Sequence, residues 1–327
     1  MIRSLFRILS AVVGILALAW LVTFWLVRQP MRPASRRTES HADSRRLRAD
    51  VEVLARDLIP RDVAHPQNLD RAATYIGHQF ELAGLAPEYE RYEARGGKYA
   101  NVVAKIGSGM TPFVIGAHYD SFGEFGANPG ADDNASGVAG LLELARLIAG
   151  REIPGGLELV AFSTEEPPFF GSRQMGSAVH AERMLASGRR PWGMVSLEMI
   201  GFFSQRQPWP SALLSALYPT RGDFVMLAGR RSDRALIRAL KPGFLGASAV
   251  PIVSYAGPYI GGLDASDHVS FWDRGLSAVV LTDTSFLRNP HYHDALDTPA
   301  SLDYESMAGV VDGLANAMLH LGAQPRR

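Results

Sequence analysis

The chain has 327 residues, enough for one large domain or two small ones, and its 33 basic and 33 acidic side chains cancel to a formal net charge of zero. That balance argues against a general nucleic-acid binder, which carries a basic excess. Cysteine is absent, which excludes disulfides, thiolate chemistry and a Cys-ligated zinc.

Ala11 to Val27 carries no charge, and with Ile8 and Leu9 it approaches the roughly 20 apolar residues that span a hydrocarbon core. Trp20 and Trp25 fall in its C-terminal half, as membrane-interface residues do. No Ala-x-Ala cleavage pattern follows, so residues 1–28 read as a membrane anchor or signal segment, with a lipid bilayer as partner. Arg3 and Arg7 flank one side and Arg28, Arg32, Arg36 and Arg37 the other; a plain count of positive charge leaves the main domain in the cytoplasm. Residues 29–45 read as a linker.

Beyond the linker, helical and extended patterns alternate. Leu47, Val51, Leu54 and Leu58 predict an amphipathic helix, and residues 68–83 predict another, stopped by Gly84. Residues 88–94 read as an edge strand, 101–106 as a strand and 111–117 as a buried strand. Helix 134–149, strand 157–163, helix 171–185 and strand 193–198 follow. Residues 202–220 show no period and read as an irregular insertion beside the site. Strand 224–229, helix 232–240, strand 249–254, strand 277–281 and helix 301–319, capped by Ser301, complete the order. Strands alternating with helices predict an α/β domain, a mostly parallel central sheet with helices on both faces, preceded by one transmembrane helix.

The chemistry sits where strands are expected to end. His118-x-Asp120 follows the apolar run 113–117, and a ligating histidine commonly passes its second ring N–H to a carboxylate. Asp132-Asp133 opens helix 134–149, where a capping role is the plainer explanation for one aspartate but not for the whole set. Glu165-Glu166 is more telling. Adjacent carboxylates after a buried strand repel, and no Lys or Arg lies between Arg151 and Arg173 to compensate. A pair of divalent ions sharing one carboxylate is the natural neutraliser, and donors limited to O and N suit zinc, with manganese and cobalt less favoured.

In order, His118-x-Asp120, Gly-Ala-Asp132-Asp133-Asn-Ala-Ser-Gly, Ser-Thr-Glu165-Glu166-Pro-Pro, Leu-Glu198-Met-Ile-Gly, Ser-Asp267-His268 and Asn-Pro-His-Tyr-His293 followed by Asp-Thr resemble the M28 family of co-catalytic zinc peptidases, over roughly residues 45–320. The resemblance implies a zinc exopeptidase-like domain at 46–327, two Zn2+ per chain and peptide substrates. It implies His118 and Glu198 on one metal, Glu166 and His293 on the other, Asp133 bridging, Glu165 as general base and Asp120 as the partner of His118. Many members of the family have Asp where this chain has Glu198, which makes that ligand position the departure. His291 is expected at the rim, Asp267 and His268 as bracing residues, and His41, His65, His78, His180 and His320 as surface groups. Phe169, Phe170, Phe202, Phe203 and Tyr259 are candidates for an apolar substrate pocket. Removal of N-terminal residues is the leading expectation. A carboxypeptidase or small-molecule amidohydrolase on the same site, or a non-catalytic membrane-anchored interaction module, are the alternatives. Exported relatives are common, so the catalytic domain is expected to be periplasmic or extracellular.

Overall fold

Among the described residues the alternating apolar runs become eight strands of one sheet. The computed structural model describes residues 2–28, 41–123 and 128–322, so most of the expected linker lies outside the described residues. The strands are β1 (Pro87–Ala94), β2 (Gly97–Ile106), β3 (Phe113–His118), β4 (Leu157–Phe162), β5 (Gly193–Glu198), β6 (Val225–Arg230), β7 (Ile252–Gly257) and β8 (Ala278–Thr282). The helices are α1 (Ile2–Arg28), α2 (Ser44–Glu52), α3 (Pro66–Leu82), α4 (Gly137–Ile148), α5 (Gly176–Ala186), α6 (Ala212–Leu217), α7 (Arg234–Ala247), α8 (His268–Trp272) and α9 (Tyr304–Gly322).

In the order β1-β2-β4-β3-β5-β8-β6-β7 the sheet is mixed, with four parallel and three antiparallel neighbour pairs. Four neighbouring strands, β4-β3-β5-β8, do run parallel, and so do β6 and β7. The flanks reverse: β1 with β2, β2 with β4, and β6 with β8 are antiparallel. The first reversal has a local cause. Ala94 pairs with Gly97, leaving Arg95-Gly96 as a two-residue turn with φ of 47° and 80°. Such a left-handed pair closes a hairpin, which cannot be parallel, and a glycine accepts its positive φ without strain.

Within each strand, alternate residues serve different faces. Phe113, Ile115, Leu157, Leu159, Val225 and Leu227 join a core that also holds apolar residues of α2, α3, α4, α7 and α9. Val114, Val160 and Phe162 meet α5 and α8 on the other face. Met226, Ala228, Val253, Tyr255 and Val280 form a third cluster under α6, with Phe24 of α1 packed against it. α1 holds the segment Phe6–Trp25, long and apolar enough to cross a membrane by length and composition. Its last turns lie along β7, and all six residues of this outer strand are buried.

Three boundaries move for physical reasons. The strand expected at 249–254 forms at 252–257, because Ser248 turns back on Val250 through its hydroxyl and Pro251 has no N–H for the ladder. The last helix starts at Tyr304, not at Ser301, and Asp303 accepts from the Ser306 N–H at 3.0 Å. The insertion 202–220 contains the short helix α6, capped by Ser211.

Candidate metal centre

The four parallel strands end side by side, and the polar groups of the sequence collect at those ends. His118 is the last residue of β3, Glu198 the last of β5, Glu165-Glu166 lie just beyond β4, and His293 lies in the loop after β8. Asp132 and Asp133 sit in the turn Ala131–Ser136 that leads into α4. All but His293 are buried.

Two donor sets meet at Asp133. On one side, His118 Nε2 is 3.3 Å from Asp133 Oδ1 and 3.4 Å from Glu198 Oε2. On the other, His293 Nε2 is 3.2 Å from Asp133 Oδ2 and 3.4 Å from Glu166 Oε1. In each set the ligand atoms fall within 4.8 Å of one another. Glu165 Oε2 stands 4.0 Å from His118 Nε2, and His118, Glu165 and Glu166 form a third, overlapping group. The Glu198 carboxylate is held by Ser266, whose hydroxyl donates to Oε2 at 2.8 Å and meets Ser196 Oγ at 2.8 Å.

The supporting groups are as organised as the donors. The Asp120 carboxylate lies 3.4 Å from His118 Nδ1. The closer partner of His118 Nδ1 is the Asp120 backbone carbonyl at 3.2 Å, while the carboxylate accepts the backbone N–H of Glu165 at 3.1 Å and of Glu166 at 3.0 Å, so Asp120 holds the histidine through its carbonyl and both glutamates through its side chain. Asp297 accepts the N–H groups of Asp132 and Asp133, each at 3.0 Å. Asn134 donates to the Leu197 carbonyl at 2.8 Å and accepts from Met199 at 3.1 Å, bracketing Glu198. The His293 ring is stacked between Phe122 and Tyr292, with centroids 3.9 and 3.8 Å away.

The charges do not balance with protein groups alone. Burial opposes protonation of His118, but Glu165, Asp120, Asp133 and Glu198 outweigh it and raise its pKa well above the ordinary value. Burial would raise Asp133 too, yet His118 and His293 hold it well below the usual carboxylate range. Glu165 is pushed far up by burial, with Glu166 and Glu198 adding to the effect, and Glu166 to about 7 by burial and Asp133. Asp133 Oδ2 and Glu166 Oε1 are buried with no hydrogen-bond donor. Buried acceptors without donors, imidazole nitrogens between carboxylates and a donor set of N and O fit a divalent cation, zinc above all. The overlap of the sets through Asp133 points to a binuclear centre.

The profile of Peptidase family M28 matches residues 101–318. The chain belongs to this family. Its relatives include the uncharacterized protein YfbL of Escherichia coli (strain K12), 41% identical over 313 residues that cover 92% of this chain and 95% of that one. A probable leucine aminopeptidase of Trichophyton verrucosum is 27% identical over 219 residues, 63% of this chain but only 53% of the fungal protein. Among solved structures, LapB from Legionella pneumophila superposes with a TM-score of 0.70 at 21% identity, covering 86% of this chain and 73% of that one; at that identity the likeness concerns the fold. As an M28 peptidase with these donor clusters, the protein is a zinc-dependent exopeptidase acting on peptides.

Beside Glu198 the M28 domain has an apolar pocket that includes Trp209, Met226, Ile260, Val280 and Phe286. None of the five aromatics expected to line such a pocket is among its walls. Phe169 is buried against Tyr99, Phe170 and Tyr259 are exposed, and Phe202 and Phe203 are half-buried elsewhere. His291 is half-buried, its N–H given to Asn289. His268 bonds the Leu263 carbonyl at 2.7 Å and also walls the pocket, while Asp267 is fully buried. His180 corrects its expectation outright: it is fully buried between Glu90 and Glu158. Arg61 carries no signal in the sequence motifs, and Ser266, Tyr292 and Asp297 enter them only as flanks of Asp267 and His293, without a role.

Proposed function

We propose that this M28 peptidase removes residues from the amino terminus of peptides, using two zinc ions per chain. The observation that carries the reading is Asp133, whose Oδ1 faces His118 while its Oδ2 faces His293. His118, Asp133 and Glu198 would hold one ion, and Asp133, Glu166 and His293 the other. Zinc bound there supplies Lewis acidity and makes a coordinated water nucleophilic near neutral pH.

The remaining work falls to the chain. Glu165 belongs to neither of the sets that share Asp133, and its carboxylate lies at their edge; it takes a proton from the attacking water and returns it to the leaving amine. Asp120 orients Glu165 through its backbone N–H. Tyr292 stacks on the His293 ring with centroids 3.8 Å apart, close enough to the centre for its hydroxyl to serve as a donor to a substrate carbonyl. The pocket beside Glu198 receives an apolar first side chain, and acidic groups of the centre hold the α-ammonium. The names of the fungal relatives support this substrate class. We also infer that α1 anchors the chain, with the catalytic domain periplasmic or extracellular; a reporter fused after residue 327 that is active only in the cytoplasm removes that reading.

The test is hydrolysis of aminoacyl-anilides with free and with acetylated amino groups. Turnover confined to the free amines supports the proposal; equal turnover of both transfers the site to general amide hydrolysis. Glu165→Gln should keep its zinc and lose at least about a hundredfold in turnover. Full activity in that variant removes Glu165 from the proton-transfer role.

A further inference from the structure

One buried arginine ties together the two strands of chain that carry His118 and Asp133. Arg61 lies just past α2 and the turn Val53–Asp57, and no part of it reaches solvent. Its guanidinium donates to the carbonyls of Tyr119 at 2.9 Å, Pro129 at 2.9 Å and Gly130 at 3.0 Å, and to that of Leu54. Its own carbonyl accepts the Ser121 N–H at 2.8 Å. Tyr119 stands between His118 and Asp120; Pro129 and Gly130 immediately precede the turn that holds Asp133. A single side chain thus clasps both ends of the loop between the two ligands.

The approach is tight. Gly130 has a φ of 54°, and a Cβ there would run first into the Asp133 carbonyl oxygen, and would lie 2.9 Å from Ser121 Cβ and 3.1 Å from Arg61 Nη2. A glycine both permits this backbone and leaves room for the guanidinium.

The electrostatics are as unusual as the packing. Buried arginines ordinarily pair with a carboxylate. Every hydrogen bond given by Arg61 goes to a neutral carbonyl. Burial lowers its pKa to about 10, while Asp120, Asp297, Asp133 and Glu166 act to hold the charge. Each of these four is a donor of the centre or holds one in place. The guanidinium is a fixed cation beneath an excess of carboxylates, and neutralises part of it at a distance.

We propose that Arg61 is a positioning residue of the metal centre: its clasp on the Tyr119, Pro129 and Gly130 carbonyls holds His118 and Asp133 at the separation the two donor sets require, and its charge keeps the carboxylates gathered before metal arrives. Mere packing would predict something different. A strut contributes equally to the metal-free and metal-loaded protein, whereas a positioning residue changes the affinity for the ion.

The inference rests on the metal-centre reading, and the experiment separates the two. Zinc dissociation constants are measured by chelator competition on the full chain and on Arg61→Met, Arg61→Lys and Arg146→Met. Arg146 is a control of similar chemistry, bonded to Asp50, Gln79 and Glu143 away from the donors. Arg61→Met should weaken zinc about 10–100-fold. At saturating zinc it should lower kcat with little change in KM. Arg61→Lys, which keeps the charge with fewer donors, should fall between. Arg146→Met should lower the melting temperature of metal-free and loaded protein alike and leave zinc affinity unchanged. Unchanged zinc affinity in Arg61→Met overturns the proposal. If that variant does not fold, Arg61→Lys decides by the same criterion, and failure of both to fold makes Arg61 a framework strut and ends the proposal. A wild-type chain that binds no zinc removes the metal-centre reading itself.

Discussion

Replacing Asp120 with asparagine alters one terminal group and removes one charge, and the local geometry sets the consequence. Asp120 Oδ1 accepts from Glu165 N at 3.1 Å and Oδ2 from Glu166 N at 3.0 Å. An asparagine can satisfy only one of these N–H groups with its carbonyl oxygen. The other then faces an amide NH2, donor against donor. Losing one hydrogen bond to a charged acceptor removes about 1.5–3 kcal/mol, and weakening the second adds about 0.5–1 kcal/mol. The variant should therefore be destabilised by about 2–4 kcal/mol, read as a lower urea midpoint with an unchanged slope. The backbone that aims Glu165 and Glu166 moves with it, so zinc affinity should fall about 10–100-fold and kcat should fall more than KM rises. A variant within about 0.5 kcal/mol of wild type, with zinc affinity intact, would refute the view that this carboxylate sets both glutamates.

Other outcomes follow from the same structure. His180 has its pKa lifted to about 9: burial opposes the charge, but Glu90 at 2.9 Å and Glu158 at 3.4 Å outweigh it. Because the folded value lies above the unfolded one, this stabilisation is complete below about pH 6.5 and is lost as pH rises through about 9. Glu90, lowered to about 2, contributes above about pH 4.5 and loses its contribution as pH falls toward 2. Denaturation midpoints should show the triad whole between those limits, and His180→Gln should flatten the alkaline limb. Ala228 walls the apolar pocket, so Ala228→Leu should cut kcat/KM for a leucyl substrate at least about tenfold relative to an alanyl one; equal loss for both would dissociate the pocket from side-chain selection. Stripping zinc with a chelator should lower the melting temperature, and restoring it at about a thousand times its Kd should return about 4 kcal/mol of stability for each ion bound.

The parts of this molecule legible in the sequence are those whose cause is local. β5 could be read at both ends because a short apolar run ends at Glu198. Glu165-Glu166 stood out because two adjacent acids had no cation nearby in the chain. Boundaries in the insertion and around β7 escaped because hydroxyl turns and Pro251 govern them, not periodicity. His180 looked like a surface group because its partners lie 90 and 22 positions away in sequence. The apolar pocket escaped for the same reason: its walls come from the insertion, β6, β8 and the loops after β7 and β8. The Arg95-Gly96 turn is a local signal too: a two-residue turn between two extended runs marks a hairpin, and with it the antiparallel flank.

β7 is an outer strand whose six residues are nevertheless all buried, with the last turns of α1 against it and Phe24 resting on the cluster that contains Val253 and Tyr255. Trimming the chain at residue 41 to obtain a water-soluble preparation would uncover that margin. A bared strand invites another strand of the same kind. Dimers or aggregates of such a fragment would then be products of the cut. A weaker grip on apolar substrates in that fragment would share this origin, because Met226, Ala228, Leu263 and Val280 belong both to the cluster and to the pocket wall.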